Sequence, residues 1–378
     1  MLLDLLTHAR QEHVQHFLLA TSSDPEILSF VQRAGITCYQ PTSRFRYDLT
    51  KFAKMARWLR SQGIRVVHSY NARANAWAGI TTFLAGTPIL VTGEHGTAWT
   101  ASTTEAWLER LVHGRARLVV ANSQASASFL NLKYGISADK IRVVYNGIAA
   151  IPRSDPKQVR AQLGIEAGKY LVGSVGRLDT TKDYGTFVEA AAIVARAEPN
   201  AAFILVGGGP LEGELRALVS ERQLQDRFVL TGPRRDARTL LQAFDVFVST
   251  SIHESFGNVL IEAALCGKPV VAPAVDGIPE AVIQGETGLL LCPTKSVGPN
   301  RSPQAPPPKR VLINGRLERP RALDPSELAD AILRLLHDRE LCAHYGEQGR
   351  ERAEQLFSVE RYITDLEKIY LELGQTES

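Results

Sequence analysis

Long hydrophobic runs, paired cysteines and a dominant charge sign are all missing from this sequence. The longest apolar stretch, WAGITTFLAGTPILV, is broken by Gly, Pro and Thr and is too short to cross a bilayer. The 4 cysteines, Cys38, Cys266, Cys292 and Cys342, lie far apart with no C-x-x-C pair. That excludes a disulfide framework and a zinc ribbon and suits free thiols in a reducing cytoplasm. The opening MLLDLLTHARQEH turns polar too soon for a signal-peptide core. A formal net charge of +3 over 378 residues is no argument for nucleic acid. The charge is uneven, however. Residues 1–150 carry 16 Lys and Arg against 9 Asp and Glu, and the remainder 27 against 31. A basic first half suits an anionic acceptor or the surface of an anionic membrane.

Short apolar runs that end in small polar residues recur along the chain: HFLLATSS, RVVHSY, PILVTG, RLVVANS and IRVVYNG, then YLVGSVG, FILVGGG, RFVLTG, VFVST, PVVAP and GLLL. Helical patterns such as LTKFAKMARWLRSQG lie between them. Strands alternating with helices predict parallel sheets covered by helices, and the length exceeds what one core fills. The expected fold is α/β, with two Rossmann-like lobes facing a cleft at the strands' C-terminal ends. The boundaries are 1–155 for the first lobe, 156–355 for the second and 356–378 for a C-terminal helix that packs back on the first. SDPKQVRAQLGIEAGKY is read as the linker, and Ser358 as the last helix's N-cap. Residues 294–322, rich in Pro and basic side chains, read as an exposed, mobile insertion. MLLDLLTHARQ reads as an amphipathic helix leading into a strand, where a sheet lobe would open with a strand and a tight turn.

The second lobe holds the chemistry. GSVGRLDTTKDYG sets Arg177 and Lys182 just past a strand, a cationic pair suited to a diphosphate, although surface salt bridging explains such a pair equally well. LVGGGPLEGELR is a glycine cluster opening a helix. It fails the dinucleotide fingerprint, because Glu212 stands where the third glycine belongs, and it has no P-loop ending. In HESFGNVLIEAALCGKPVVA, Glu254 precedes a helix and Glu262 lies inside it. A carboxylate on an apolar helix is costly without a partner. A helix start that binds phosphate and two carboxylates that accept from sugar hydroxyls together suit a sugar nucleotide. A capping Glu254 and a half-exposed Glu262 are the plainer alternative.

In order, GRLDTTKD, LVGGGP, the E-x7-E stretch HESFGNVLIEAALCGKPVVA and DGIPEAV resemble glycosyltransferase family 4, retaining transferases of the GT-B fold. VVHSYNARAN, TGEHG, VVANSQAS and VVYNGI fit that pattern more loosely. The resemblance covers nearly the whole chain. It implies that Gly176, Arg177 and Lys182 hold the donor diphosphate, with the two cations stabilising the leaving nucleotide. Glu254 would meet the donor sugar, assisted by the backbone of Phe256, Gly257 and Asn258, and Glu262 would bind the ribose. Gly209 and Pro210 would line the cleft, Arg234 would lie near the base, and His95 would stand near the transferred sugar. The family's usual opening strand and G-G-x-E-like loop are not in the sequence, and Asp183 stands where Gly is frequent.

The reaction so implied moves a sugar from a nucleotide-diphosphate donor to an acceptor hydroxyl with retained configuration, in cell-surface polysaccharide or glycolipid biosynthesis. The catalytic set is Glu254, His95, Arg177 and Lys182. No D-x-D motif occurs, so neither a metal nor another cofactor is expected. Expected partners are the donor, a carbohydrate or lipid-linked acceptor and, for a cytoplasmic protein, a peripheral contact with the inner membrane face. Two rivals remain: an impaired sugar-nucleotide-binding protein and a sugar-nucleotide epimerase of the same fold.

Overall fold

The computed structural model describes residues 14–20, 33–41, 49–86, 89–96, 103–297, 308–313 and 315–375, together with 5, 6, 8, 28, 29 and 31. The chain divides into two compact units. One comprises residues 1–96, 101–149 and 357–378, the other residues 97–100 and 150–356.

In the first unit, β1 (Phe17–Leu19) and β2 (Thr37–Tyr39) form a small parallel pair. A separate parallel sheet has the order β3 (Val66–Ser69), β4 (Ile89–Glu94), β5 (Leu118–Ala121) and β6 (Ile141–Val143). Helices Ala72–Ala85 and Gln124–Tyr134 begin at Asn71 and Ser123, whose side chains accept from the amides of Ala74 and Ser126. These caps satisfy donors that a helix start leaves unpaired. Side chains on β4 alternate. Leu90 packs with Ala78, Val112 and Ala116, whereas Val91 packs with Val359, Tyr362, Ile363 and Leu366 of the C-terminal helix Val359–Gln375. That helix is capped by Ser358, whose Oγ accepts from the Arg361 amide at 3.3 Å. Its buried apolar stripe contributes about 1.5–3 kcal/mol per fully buried large side chain. Of the helix expected over MLLDLLTHARQ, residues 5, 6 and 8 are described and helical; the rest lies outside the described residues.

The second unit is built on six parallel strands: β7 (Tyr170–Val175), β8 (Ala201–Val206), β9 (Phe228–Leu230), β10 (Val246–Val248), β11 (Val270–Pro273) and β12 (Gly288–Leu291). Their spatial order is β12-β11-β10-β7-β8-β9. The chain therefore winds outward from β7 to β9, returns to β10 beside β7, and winds outward again. The winding reverses between β7 and β10. Val172, Phe203, Val246 and Val248 pack beneath Phe187, Val188 and Ile332, which come from helices Tyr184–Ala197 and Pro325–His337.

Two expectations are corrected. SDPKQVRAQLGIEAGKY is not a free linker. Asp155 caps a helix, Pro156–Gln162, whose Val159 is buried. Arg160 ties this helix to the Asp245 carboxylate at 2.7 Å and to the carbonyls of Ala243 and Lys169. The helix starts here because Pro suits a first helical position and Asp a cap. Nor is 294–322 loose throughout. Strand β13 (Lys295–Ser296) pairs with β16 (Arg321–Ala322), and β14 (Val311–Ile313) pairs with β15 (Arg316–Glu318) in a hairpin. Val311, Leu312 and Ile313 are buried. Asn-Gly between two strand-like triplets is a strong hairpin signal that Pro-rich composition masked. Residues 298–307 lie outside the described set.

Candidate functional site

Loops that follow parallel strands emerge at one edge of their sheet, so the turns after β7, β8, β9 and β10 share the C-terminal edge of the second unit's sheet. Lys182 leaves the turn after β7 and Glu254 the turn after β10, the two strands at which the winding reverses. Their side chains meet in an ion pair, Lys182 Nζ donating to Glu254 Oε2. Both are about four-fifths buried, with 21% and 19% of the side chain exposed. A salt bridge this sheltered is screened far less than a surface one, so it fixes both groups.

The other predicted residues of this unit lie on the turns after β7, β8, β9 and β10 and on the helix that follows Gly257. Arg177 donates to Asp179 at 2.5 Å, and its side chain is 72% exposed while that of Asp179 is buried. Burial works against the Asp179 carboxylate, but hydrogen bonds from Thr181 and Arg177 prevail and lower its pKa. Gly176 lies under the Tyr184 hydroxyl, and a side chain at Gly209 would run into the Leu178 carbonyl. Pro210 follows directly. Arg234 forms a forked pair with Asp236 at 2.7–2.8 Å on the surface. Phe256 is buried, and Gly257, with φ +88°, precedes the helix Asn258–Leu265. Glu262, on that helix, faces the Arg238 guanidinium at 3.2 Å.

Asp183 follows Lys182 with φ +45°, which explains why glycine is frequent at this position. Its carboxylate accepts from the Thr186 hydroxyl at 2.6 Å, a local bond that lets Asp occupy the left-handed region. Burial pushes its pKa up to about 6, against hydrogen bonds from Thr186 that lower it.

Three contributors escaped the sequence reading. Arg238 partners Glu262. Asp276, buried with φ +44°, accepts from the Glu254 amide at 3.2 Å, from His253 Nδ1 at 2.7 Å and from the Leu312 amide at 2.8 Å. The third is the hairpin that supplies Leu312. Asp276 opens DGIPEAV, so its motif was visible, but its role as a brace behind Glu254 needs the tertiary contact.

His95 belongs to the first unit, just past β4. Its ring stacks on Tyr70, with centroids 5.5 Å apart and planes 5° apart. Tyr70 in turn lies 4.3 Å from His68, whose Nδ1 is 2.7 Å from the Tyr370 hydroxyl. Burial lowers the pKa of His95 to about 4 and that of His68 to about 3, His95 adding to the latter. His95 is therefore neutral at physiological pH. Among the described residues, one group has the ligand types and spacing for a metal ion: Glu94, Glu109 and His113, within 4.8 Å of one another in this same unit. None of the predicted donor-site residues belongs to it.

Two family models match the sequence: "Glycosyltransferase Family 4" over residues 1–150 and "Glycosyl transferases group 1" over residues 155–297. N-acetyl-α-D-glucosaminyl L-malate synthase of Bacillus anthracis is 27% identical, covering 86% of this chain and 80% of its own. α-Maltose-1-phosphate synthase of Mycolicibacterium smegmatis is 29% identical over 79% and 76%. The solved structure of HepE from Anabaena with UDP superposes with a TM-score of 0.80 at 24% identity, covering 98% of this chain and 95% of that one. The same protein with UDP-glucose gives 0.79. Sucrose-phosphate synthase from Thermosynechococcus elongatus gives 0.68 at 22% identity, over 97% of each chain.

Proposed function

The chain belongs to glycosyltransferase family 4 and has the GT-B fold, and on that premise we propose that it moves a sugar from a nucleotide-diphosphate donor to an acceptor hydroxyl with retained configuration. The observation that carries the site assignment is the Lys182–Glu254 pair at the point where the sheet's winding reverses. Open α/β sheets bind ligands at such a switch point. Lys182 and Arg177 neutralise the departing diphosphate. In this reading they take the place that a divalent cation would otherwise fill, and transfer persists in chelator. Glu254 holds hydroxyls of the donor sugar, and the backbone of Phe256, Gly257 and Asn258 assists. Glu262, steadied by Arg238, accepts from the ribose diol, while Gly176, Gly209 and Pro210 line the donor site and Arg234 lies by the base. His95 acts as a neutral hydrogen-bonding group beside the transferred sugar. Each glutamate is committed to a cation, which favours positioning over the acid–nucleophile pairing of glycosidases. Rate enhancement then rests on orientation and charge stabilisation.

The proposed setting is cytoplasmic, in the synthesis of a cell-surface polysaccharide or glycolipid, with a carbohydrate or lipid-linked acceptor and peripheral contact with the membrane. Large apolar side chains exposed on neighbouring helices of the basic first unit support that contact.

Incubation of the full chain with UDP-glucose and an acceptor panel tests the reaction. Nucleotide release together with an α-linked product by NMR is the expected result. A donor isomerised without release would make the protein an epimerase, and binding without either change would make it a sugar-nucleotide-binding protein.

A further inference from the structure

The Glu94–Glu109–His113 group lies outside the donor machinery, yet it touches the turn that carries His95. On β4, Thr92 and Glu94 share the face that packs against the helix Thr103–Arg115, because side chains alternate along a strand. Glu109 and His113 stand one turn apart on that helix and are both buried. His113 Nε2 lies 3.1 Å from Glu109 Oε2 and 3.8 Å from Glu94 Oε2, and Nδ1 lies 2.9 Å from the Thr92 hydroxyl. The Glu94 carboxylate then reaches past His95: its Oε1 accepts from the Gly96 amide at 2.9 Å.

We propose that His113 is a positioning residue that, with Glu109, anchors the Glu94 carboxylate and through it the turn Glu94–Gly96, so setting where the His95 ring stands. Its place in the reaction rests on the role given to His95 above. Two carboxylates in a sheltered site need a cation between them. An imidazolium supplies it, with the two carboxylates at ion-pair distance from Nε2 and the Thr92 hydroxyl at Nδ1. Burial alone would lower the pKa of His113, but hydrogen bonding and charge from Glu109 and Glu94 raise it to about 9. The remaining neighbour from an adjoining helix is Tyr134, its ring 5.7 Å away; the charge of the two glutamates adds to burial in raising its own pKa.

The test uses the full chain and three variants: Glu94→Ala, His113→Gln, and the double variant Glu109→Leu with His113→Leu, which removes the anchor without leaving a lone buried charge beside it. Amide exchange at residues 94–96 and the NMR titration of His95 are read in each. Glu94→Ala sets the full effect, a rise in Gly96 exchange of about tenfold for one lost hydrogen bond. The double variant is expected to approach that value and to move the His95 titration upward from about 4. Should the double variant fail to fold, His113→Gln is expected to show the same changes, because an amide cannot neutralise two carboxylates. UDP affinity should stay at the wild-type value throughout, since the nucleotide residues belong to the other unit. With UDP-glucose as donor, kcat should fall while KM holds. A folded anchor variant with wild-type exchange at Gly96 and an unmoved His95 titration overturns the proposal. Failure of the wild type to bind UDP would instead remove the functional reading, and the exchange data would still decide the anchor.

Discussion

Lys182 and Glu254 neutralise one another, so a nucleotide diphosphate must take Lys182 from its partner. Charge-assisted hydrogen bonds are worth about 1.5–3 kcal/mol, and Lys182→Ala should weaken UDP binding about ten- to a hundredfold by titration calorimetry. Arg177→Ala should cost less, because most of that side chain is in solvent. Unchanged affinity in both variants would remove the diphosphate assignment. Glu254→Gln frees Lys182, so UDP affinity should hold or improve while turnover of the sugar-bearing donor falls. Glu262→Gln should instead weaken UDP itself, and equal UDP affinity in all three proteins would end the division of ribose and sugar between the glutamates. Asp183 lends itself to a pH experiment. Its folded pKa, about 6, lies above the unfolded value of about 3.9. Between these values the folded state binds more protons, so its contribution to stability falls as pH rises and is lowest above pH 6. Asn tolerates the same left-handed backbone and keeps an acceptor for Thr186. Asp183→Asn should therefore raise the unfolding temperature at pH 8 and lose that advantage towards pH 4. A gain independent of pH would show that the burial of charge is not its source.

Among elements, the contrast between the strand ends and their supports shows what the sequence could reveal. Apolar runs alternating with helices exposed the parallel sheets, and the order of motifs set Arg177, Lys182 and Glu254 after strands of one lobe, with Glu262 on the helix that follows. What could not be read was which side chain meets which across distant segments. Arg238 as the partner of Glu262 and Asp276 as the brace of Glu254 are tertiary facts with no local pattern. The hairpin of β14 and β15 was legible through its Asn-Gly dipeptide, but Pro-rich neighbours concealed it. These supports bear on function because Asp276 links the hairpin to the turn carrying Glu254. Gly277, beside it, lies so close to Ser255 that a methyl group there would run into the Ser255 carbonyl. Gly277→Ala must push the turn after β10 outward. The expected result is a folded protein with a loss of UDP-glucose turnover of about tenfold or more, as a misplaced site group produces. Wild-type turnover would show that the turn tolerates displacement.

At the scale of the whole molecule, charge and exposed apolar surface coincide. Residues 49–143 carry 12 Lys and Arg against 4 Asp and Glu. Within the same span, Phe83 and Trp107 are about two-thirds exposed, and Ile80, Leu84, Leu108, Leu111 and Leu132 are also exposed. The helices that carry them are neighbours: Gly79 lies against Val112, and the Arg115 guanidinium sits over the Phe83 ring at 5.3 Å. Single exposed apolar residues need no explanation, but a grouped set does. Aromatic and aliphatic side chains with a basic fringe suit the interface of an anionic bilayer, where each nearby Lys or Arg adds about 1 kcal/mol. No helix among the described residues is long and apolar enough to cross a membrane, so the expected contact is peripheral. The full chain should co-sediment with vesicles containing phosphatidylglycerol and not with pure phosphatidylcholine. Raised salt should release it, because these charges are exposed and screened. Trp107→Ser with Phe83→Ser should reduce binding through lost apolar area, and Arg110→Glu with Arg115→Glu through charge. Neither pair should alter UDP affinity. Equal sedimentation with both vesicle types, or wild-type binding by both variants, would mean that this face has another use.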